Sequence, residues 1–80
     1  MMIRNGDGIT ISYDPEADGA YIRLVNDIGI GGVAKTYPCD PIEVNGMINL
    51  NFDSEGRLVG IEVLDARRML PMHLLGPSAM

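Results

Sequence analysis

Disulfides, bilayer-spanning segments and basic charge are all scarce in this 80-residue chain, and each shortage excludes a class of protein. The single cysteine, Cys39, excludes an intramolecular disulfide framework. No apolar run approaches the ~20 residues that span a bilayer, and the N-terminus has no apolar signal core, so no membrane partner is expected. We therefore predict a cytoplasmic protein.

Basic residues are few, because six lysines and arginines stand against eleven acids. The formal net charge of -5 opposes the attraction that provides most non-specific affinity for nucleic acid, so nucleic acid is not an expected partner. The same field favours a basic protein partner, chiefly through the rate of association.

Length and composition allow one small folded domain. Eighty residues lie near the size at which a single core only just offsets chain entropy, while a hydrophobic content of 46% is sufficient for folding. We expect one domain over residues 1–80, with its core over about 9–75 and flexible ends at 1–8 and 77–80. Since a partner subunit would add buried surface to so small a core, a homodimer is expected.

Two stretches of alternating apolar and polar residues predict β-hairpins. The first spans residues 9–25 around a turn at 14–19, and the second spans 47–64 around a turn at 53–56. Alternation assigns one set of side chains to the core faces of these strands: Ile9, Ile11, Tyr13, Ala20, Ile22, Leu24, Ile48, Leu50, Phe52, Val59, Ile61 and Val63.

The remaining segments complete the predicted fold. Residues 33–37 are typical of a strand, and residues 42–44 predict a short strand before Asn45-Gly46, a dipeptide typical of hairpin turns. Asp65 is a candidate N-cap for a helix over 66–70, and Pro71 either ends that helix or opens a second turn. The predicted class is α+β, a mostly antiparallel β-sheet of five to six strands in a hairpin meander with a short C-terminal helix.

The hairpin turns carry the carboxylates that could bind a metal. Asp14, Glu16 and Asp18 precede Gly19 with the spacing that begins a calcium loop, although Val25 stands where a bidentate Glu is required. Asp53 and Glu55 lie in the second turn, and the five side chains would converge if both turns shared one end of the sheet. Solvated capping carboxylates are the commoner interpretation, so a metal or small-ligand site is the alternative hypothesis.

A catalytic constellation is not evident in the sequence. Cys39 and His73 each occur singly, and a Cys–His pair requires a spatial adjacency that sequence cannot establish. We therefore expect a non-enzymatic protein without a cofactor.

Candidate interface residues lie opposite the assigned core faces or in the C-terminal tail. A sheet with apolar residues on both faces could meet the helix on one side and a second subunit on the other, and the tail could pack on its own sheet or on a neighbour. The candidates are Tyr21, Arg23, Leu58, Leu64, Met69, Leu70 and Leu74.

The sequence resembles a known family at two blocks. Residues 13–24 read YDPEADGAYIRL and residues 49–66 read NLNFDSEGRLVGIEVLDA, which is similar to the small bacterial proteins grouped as domain of unknown function 2283. The resemblance covers roughly residues 9–75, with Gly19 where Ala is more usual and Arg67 where Ser is common. It implies a small α+β domain with no established activity, and an antitoxin-like role beside a small toxin-like protein.

These observations together predict a non-enzymatic protein-interaction domain. It would work as a homodimer or with a small basic protein. The runner-up hypothesis is metal or small-ligand binding by the carboxylates of the hairpin turns.

Overall fold

The computed structural model describes residues 9–76, and it confirms an α+β fold built on an antiparallel sheet. The strands are β1 (Thr10–Asp14), β2 (Gly19–Arg23), β3 (Lys35–Pro38), β4 (Ile48–Phe52) and β5 (Leu58–Leu64). The helices are α1 (Pro41–Val44) and α2 (Ala66–Met69), followed by a 3-10 turn at Met72–Leu74. The flexible ends predicted at 1–8 and 77–80 lie outside the described residues.

The five strands lie in the order β1-β2-β5-β4-β3, and every neighbouring pair is antiparallel. Strands that follow each other in the chain are therefore neighbours within β1–β2 and within β3–β4–β5, as a meander predicts. Between these two units, the connector over residues 24–34 crosses from β2 to β3 at the opposite edge of the sheet. β5 enters between β2 and β4, so its apolar residues have a neighbouring strand on both sides. The strand ends differ from the predicted ones by a residue or two, because ladder pairing rather than alternation sets where a strand stops.

The short strand predicted over residues 42–44 is wrong, because Pro41–Val44 forms the helix α1. Asp40 accepts a hydrogen bond from the Ile42 backbone N–H at 2.9 Å, and Pro41 occupies the first helical turn. This is the Asp-Pro pattern of a helix N-terminus. Asn45 adopts a left-handed conformation with φ of 53° and ends the helix, so the Asn-Gly dipeptide is used as a helix stop rather than as a hairpin turn.

The second helix begins where predicted, but its cap comes from elsewhere in the chain. Asp65 stands at the N-cap position with φ of 55°, and its side chain does not cap the helix. Instead, the Arg67 backbone N–H donates to Asp18 Oδ1 at 3.1 Å. Leu70 is extended and ends the helix before Pro71, after which the chain turns once more. Within residues 9–76, no helix has the length and apolar character needed to cross a membrane.

The interior is small. The buried apolar side chains among the described residues are Ala20, Val59, Val63, Ala66 and Leu75. Tyr13 and Leu70 pack against the cluster that Ala20, Ala66 and Leu75 form, so α2 and the turn after it cover one corner of the sheet. In this described part of the chain no large side chain is fully buried.

Candidate functional site

The two acidic turns lie at opposite ends of the sheet. β2 begins at the turn that carries Asp14 and Asp18, and β5, which is antiparallel to β2, ends beside that same turn at Leu64. β4 is antiparallel to β5, so the turn with Asp53 joins their other ends, where Phe52 lies opposite Leu58. The five candidate carboxylates therefore do not converge.

The second turn is closed by hydrogen bonds within itself. Asp53 Oδ1 accepts from the backbone N–H groups of Glu55 and Arg57, each at 2.9 Å. The Arg57 guanidinium donates to Asp53 Oδ2 at 3.1 Å and also pairs with Glu55. The Arg57 backbone N–H is the main reason that the pKa of Asp53 lies below its ordinary value. The hydrogen bond to Asp53 in turn raises the pKa of Arg57.

Asp14 in the first turn also caps its own backbone. Its Oδ1 accepts from the Glu16 N–H at 3.0 Å and from the Ala17 N–H at 3.4 Å. Asn and Asp side chains commonly close a turn in this way. Asp14 therefore supports the β1–β2 hairpin, and exposed Glu16 lies beside it in the same turn.

Asp18 belongs to a cluster that joins the first turn to α2. Tyr13 donates its hydroxyl proton to Asp18 Oδ1 at 2.7 Å, and Arg67 Nε donates to the Tyr13 oxygen at 2.9 Å. The Ala66 N–H donates to the Asp18 carbonyl at 2.9 Å, next to the Arg67 N–H that Asp18 Oδ1 accepts. Three side chains from two distant segments therefore hold α2 against the hairpin.

The charges in this cluster shift one another's protonation. The hydrogen bond from Tyr13 is the main reason that the pKa of Asp18 lies below its ordinary value. Partial burial, followed by the hydrogen bond to Asp18, raises the pKa of Tyr13. The hydrogen bond to Tyr13 raises the pKa of Arg67. Asp18 is thus held as a carboxylate that accepts several donors, which is a structural use of its charge.

The arrangement of these side chains does not favour a metal site. Among residues 9–76, no group of three or more His, Cys, Asp or Glu side chains is placed to hold a metal ion. Cys39 is half-buried just after β3, and His73 is exposed in the 3-10 turn. The geometry on which the metal or small-ligand hypothesis depended is therefore missing from the described residues.

One face of the sheet is polar and is joined by side-chain hydrogen bonds. Asn51 Nδ2 donates to the Tyr21 oxygen at 2.9 Å, and the Thr36 hydroxyl donates to Asn51 Oδ1 at 2.9 Å. Asn49 Nδ2 donates to Glu62 Oε1 at 2.8 Å. These bonds cross between the strands, so the polar face is organised as a network.

Tyr21, one of the candidate interface residues, lies on this polar face directly over Gly60. A Cβ at position 60 would overlap the Tyr21 hydroxyl, so only glycine leaves room for the ring. Arg23 lies opposite Gly60 on the same face, and its Nε is buried without a hydrogen-bond partner. Leu64 is half-buried and pairs with Gly19 at the end of the sheet.

Leu58 lies on the opposite face from the one that alternation predicts. The ladder between β4 and β5 slips at Asn51/Phe52, and Phe52 pairs with Leu58 rather than with Val59. Residues directly opposite each other in a ladder share a face, so the bulge brings Leu58 to the face of Phe52.

The other face is apolar, and one row of it crosses all five strands. In the ladders, Ile11 pairs with Ile22, Ile22 with Ile61, Ile61 with Leu50, and Leu50 with Tyr37. We call these five residues the apolar row. The first four are half-buried, and Tyr37 is 53% exposed. Ile61 occupies the central strand and still remains accessible, so the middle of this face is open to its surroundings.

The next row of the same face is covered. Ala20 pairs with Val63, and Val63 pairs with Ile48. Ala66, Leu70 and Leu75 lie in the cluster around Ala20. Of the candidate tail residues, Leu70 packs there, the Met69 side chain lies beside Gly46, and Leu74 is 36% exposed.

The apolar row was missed as a site because alternation assigned four of its residues, Ile11, Ile22, Leu50 and Ile61, to the core and gave Tyr37 no face. That assignment identifies a face correctly but does not say whether the face is covered. The available signal is chain length, since only the twelve described residues 65–76 follow β5, and they are too few to cover five strands. The candidates named from the sequence lie instead mainly on the polar face and in the tail.

Comparison with known proteins assigns the family. Residues 10–67 match the family described as "Protein of unknown function (DUF2283)", which is more than half of the chain. No curated protein and no solved structure matches the chain. The matched region contains all five strands and both halves of the Tyr13–Asp18–Arg67 cluster. The resemblance found in the two sequence blocks is therefore confirmed, and the chain belongs to the DUF2283 family of proteins of unknown function.

Proposed function

We propose that this chain is a protein-interaction domain that binds another protein chain through the apolar row. The observation that carries the proposal is that Ile22, Ile61 and Leu50 at the centre of the sheet are only partly buried, next to the exposed Tyr37. Exposed contiguous apolar surface of this kind is typical of protein–protein interaction sites. Each of these side chains would gain roughly 0.5 kcal/mol from completing its burial, since only a minor part of each is still exposed.

The chemistry of the surface favours a protein over a small polar ligand. The apolar row contains no charged side chain, and its one polar atom is the Tyr37 hydroxyl. Tyrosine is enriched at protein interfaces because its ring is large and its hydroxyl tolerates water. An aliphatic row with a tyrosine at its exposed edge suits contact with another apolar protein surface.

The remainder of the molecule supports a scaffold role. Asp14, Asp18 and Asp53 of the turns, and Tyr21, Asn49, Asn51 and Glu62 of the polar face, are engaged in hydrogen bonds within the chain. These bonds hold the hairpins and α2 in place around the apolar row. The antitoxin-like role stays a prediction of the family resemblance.

Photo-crosslinking tests the proposal with a matched pair of positions. Benzoylphenylalanine is placed at Tyr37, on the apolar row, or at Thr36, its exposed neighbour on the polar face. In cells that produce the full chain, we expect protein adducts from position 37 and few from position 36. Equal adducts from both positions, or none from position 37, would overturn the proposal.

A further inference from the structure

We infer that the chain covering the apolar row is a second copy of this protein, packed sheet on sheet with β5 against β5. The inference rests on the proposed function and adds the occupant and its orientation. It is carried by the extent of the face, by its internal arrangement and by where the charges lie.

The open part of the face matches the same row in another copy. With strands ~4.8 Å apart and ~6.8 Å between successive residues on one face, one row across five strands presents roughly 160 Å² in plan. Two stacked copies hide about twice that area together with the flanks of the side chains, which places the contact at the small end of specific interfaces, below about 1,200 Å² in total. A weak, reversible dimer is expected from such a contact.

The internal arrangement of the row suits a two-fold axis. β5 is the middle strand of the five, and Ile61 has Ile22 on one side and Leu50 on the other. A two-fold axis next to Ile61 places β5 of one copy against β5 of the other. Ile22 and Leu50, the neighbours of Ile61, then also contact aliphatic side chains of the second copy. Self-complementarity of this kind is what an isologous interface requires. Sheets with the same twist stack with their strands within about 30° of each other.

The charges lie away from this contact. The row itself is uncharged, and Lys35 is the charged residue that pairs with Phe52 at the edge of the same face. The acidic residues that give the chain its net charge of -5 include Asp14, Asp53 and Glu62, which lie in the turns or on the polar face. A basic partner would find its complementary charge on those surfaces rather than at the row, so the row suits an uncharged, apolar occupant such as its own copy.

The β3 edge of the sheet is protected, which disfavours association through that strand. β3 carries Lys35 at one end and Pro38 at the other. Lysine and proline are devices that discourage a further strand from adding to an edge. Two copies are therefore expected to stack rather than to form a continuous sheet through β3.

Sedimentation equilibrium of the full-length chain tests the inference. We expect a monomer–dimer equilibrium with a micromolar dissociation constant. Tyr37→Asp should raise that constant by at least about tenfold, because it buries an unpaired charge in the contact. Thr36→Asp, on the same exposed strand but the opposite face, should change it less than about twofold.

The salt dependence of the dissociation constant is a second test, and it needs no variant. Two acidic copies held by apolar contact should associate equally well or better as salt screens their repulsion, whereas a complex with a basic partner should weaken. In a mixture of labelled and unlabelled chain, NOEs between the methyl groups of Ile61 in different copies should appear. This measurement applies even if Tyr37→Asp fails to fold.

A chain that stays monomeric at high micromolar concentration would overturn the inference, as would a dimer that Thr36→Asp weakens as much as Tyr37→Asp. A monomer that still gives adducts from position 37 with a different protein would overturn the second copy while leaving the proposed function in place. A monomer without such adducts would remove both.

Discussion

The two faces of the five-stranded sheet are built from alternate residues of the same strands, and they reach opposite states. On the polar face, Tyr21, Asn51 and Thr36 are joined by hydrogen bonds, and Tyr21 fills the space above Gly60. On the apolar face, Ile22 and Ile61 lie side by side and stay partly exposed.

The difference shows that polar side chains such as Tyr21, Asn51 and Thr36 can be satisfied by one another, whereas apolar side chains across a sheet of this width cannot bury one another. Side-chain hydrogen bonds form between neighbouring strands, so no further element is needed to satisfy them. Apolar side chains gain free energy only when something removes water from them. The segment after β5 does this around Ala20 and Val63, and Val59 is buried as well, while Ile22, Ile61 and Leu50 between them stay partly exposed.

The largest expected effect comes from adding a methyl group at position 60, where the Tyr21 ring packs against the Gly60 backbone on the polar face. Gly60→Ala should lower the free energy of unfolding by about 2–3 kcal/mol, because the new Cβ displaces Tyr21 and breaks its bond to Asn51. Gly19→Ala is the matched control, since a Cβ there would meet the Leu64 side chain at 3.5 Å, an ordinary contact. Urea unfolding measures both. Equal costs at the two glycines would show that Tyr21 does not constrain the face.

The second prediction compares covered and open positions of the apolar face on one strand. In dilute solution, Val63→Ala should cost about 2 kcal/mol and Ile61→Ala only about 1, although the second removes more carbon atoms. The reason is that Val63 is 2% exposed under the C-terminal segment while Ile61 is half-buried.

The same unfolding experiment repeated at high concentration sharpens this comparison. If a second copy covers the row, the stability of the native chain rises with concentration, and Ile61→Ala loses more of that gain than Val63→Ala does. A cost for Ile61→Ala larger than that for Val63→Ala in dilute solution would mean that the row is already covered within one chain.

A smaller effect is expected from opening the polar network. Asn51→Ala removes a donor to Tyr21 and an acceptor for Thr36, and should cost about 1 kcal/mol of unfolding free energy. Since Asn51 lies on the face opposite the apolar row, the dissociation constant of a dimer should stay unchanged in sedimentation. A dimer that falls apart in this variant would place the interface on the polar face instead.

The smallest expected effect is on stability at acid pH, and it arises at the corner of the sheet where Asp18 caps α2. Because the pKa of Asp18 is lower in the folded chain than its ordinary value of 3.8, its charge stabilises the fold above that value. This stabilisation is lost as the pH falls through the folded pKa. Asp18→Asn should therefore flatten the acid side of the stability profile measured by thermal unfolding, and it should speed hydrogen exchange at the Arg67 amide that Asp18 caps.

Asp53→Asn is the matched control for that prediction. The pKa of Asp53 is also lowered, so this variant should flatten the same part of the profile. Its hydrogen bonds remain within the β4–β5 turn, so the exchange of the Arg67 amide should not change. Faster exchange in both variants would contradict a specific link between Asp18 and α2.

Much of the fold was predictable because its signals are local. Alternation located both hairpins, and Asp53 and Pro15 marked their turns. The helix α1 was predicted as a strand because Asn-Gly occurs both in hairpin turns and at helix ends. The pattern that decides between them, Asp40-Pro41, lies just before the segment that was assigned to the strand.

The candidate site was less predictable because it depends on pairings between distant residues. The cap that Asp18 gives to Arg67 joins residues 49 positions apart, and the bulge that turns Leu58 toward Phe52 is a slip in ladder pairing that alternation does not reveal. Nothing local to Asp18 distinguishes a helix cap from a calcium ligand. Only the position of α2 beside the hairpin does.

The sequence by itself determined which side chains share a face, because a strand alternates with a period of two wherever it lies. It therefore determined that Ile11, Ile22, Ile61 and Leu50 belong to apolar faces. The tertiary structure alone decided that these four line up in one row, that the acidic turns lie at opposite ends, and that the row is left open. The strand order sets the first two outcomes, and it depends on which distant strands pair. The open row follows from how little chain remains after β5 to lie over the sheet.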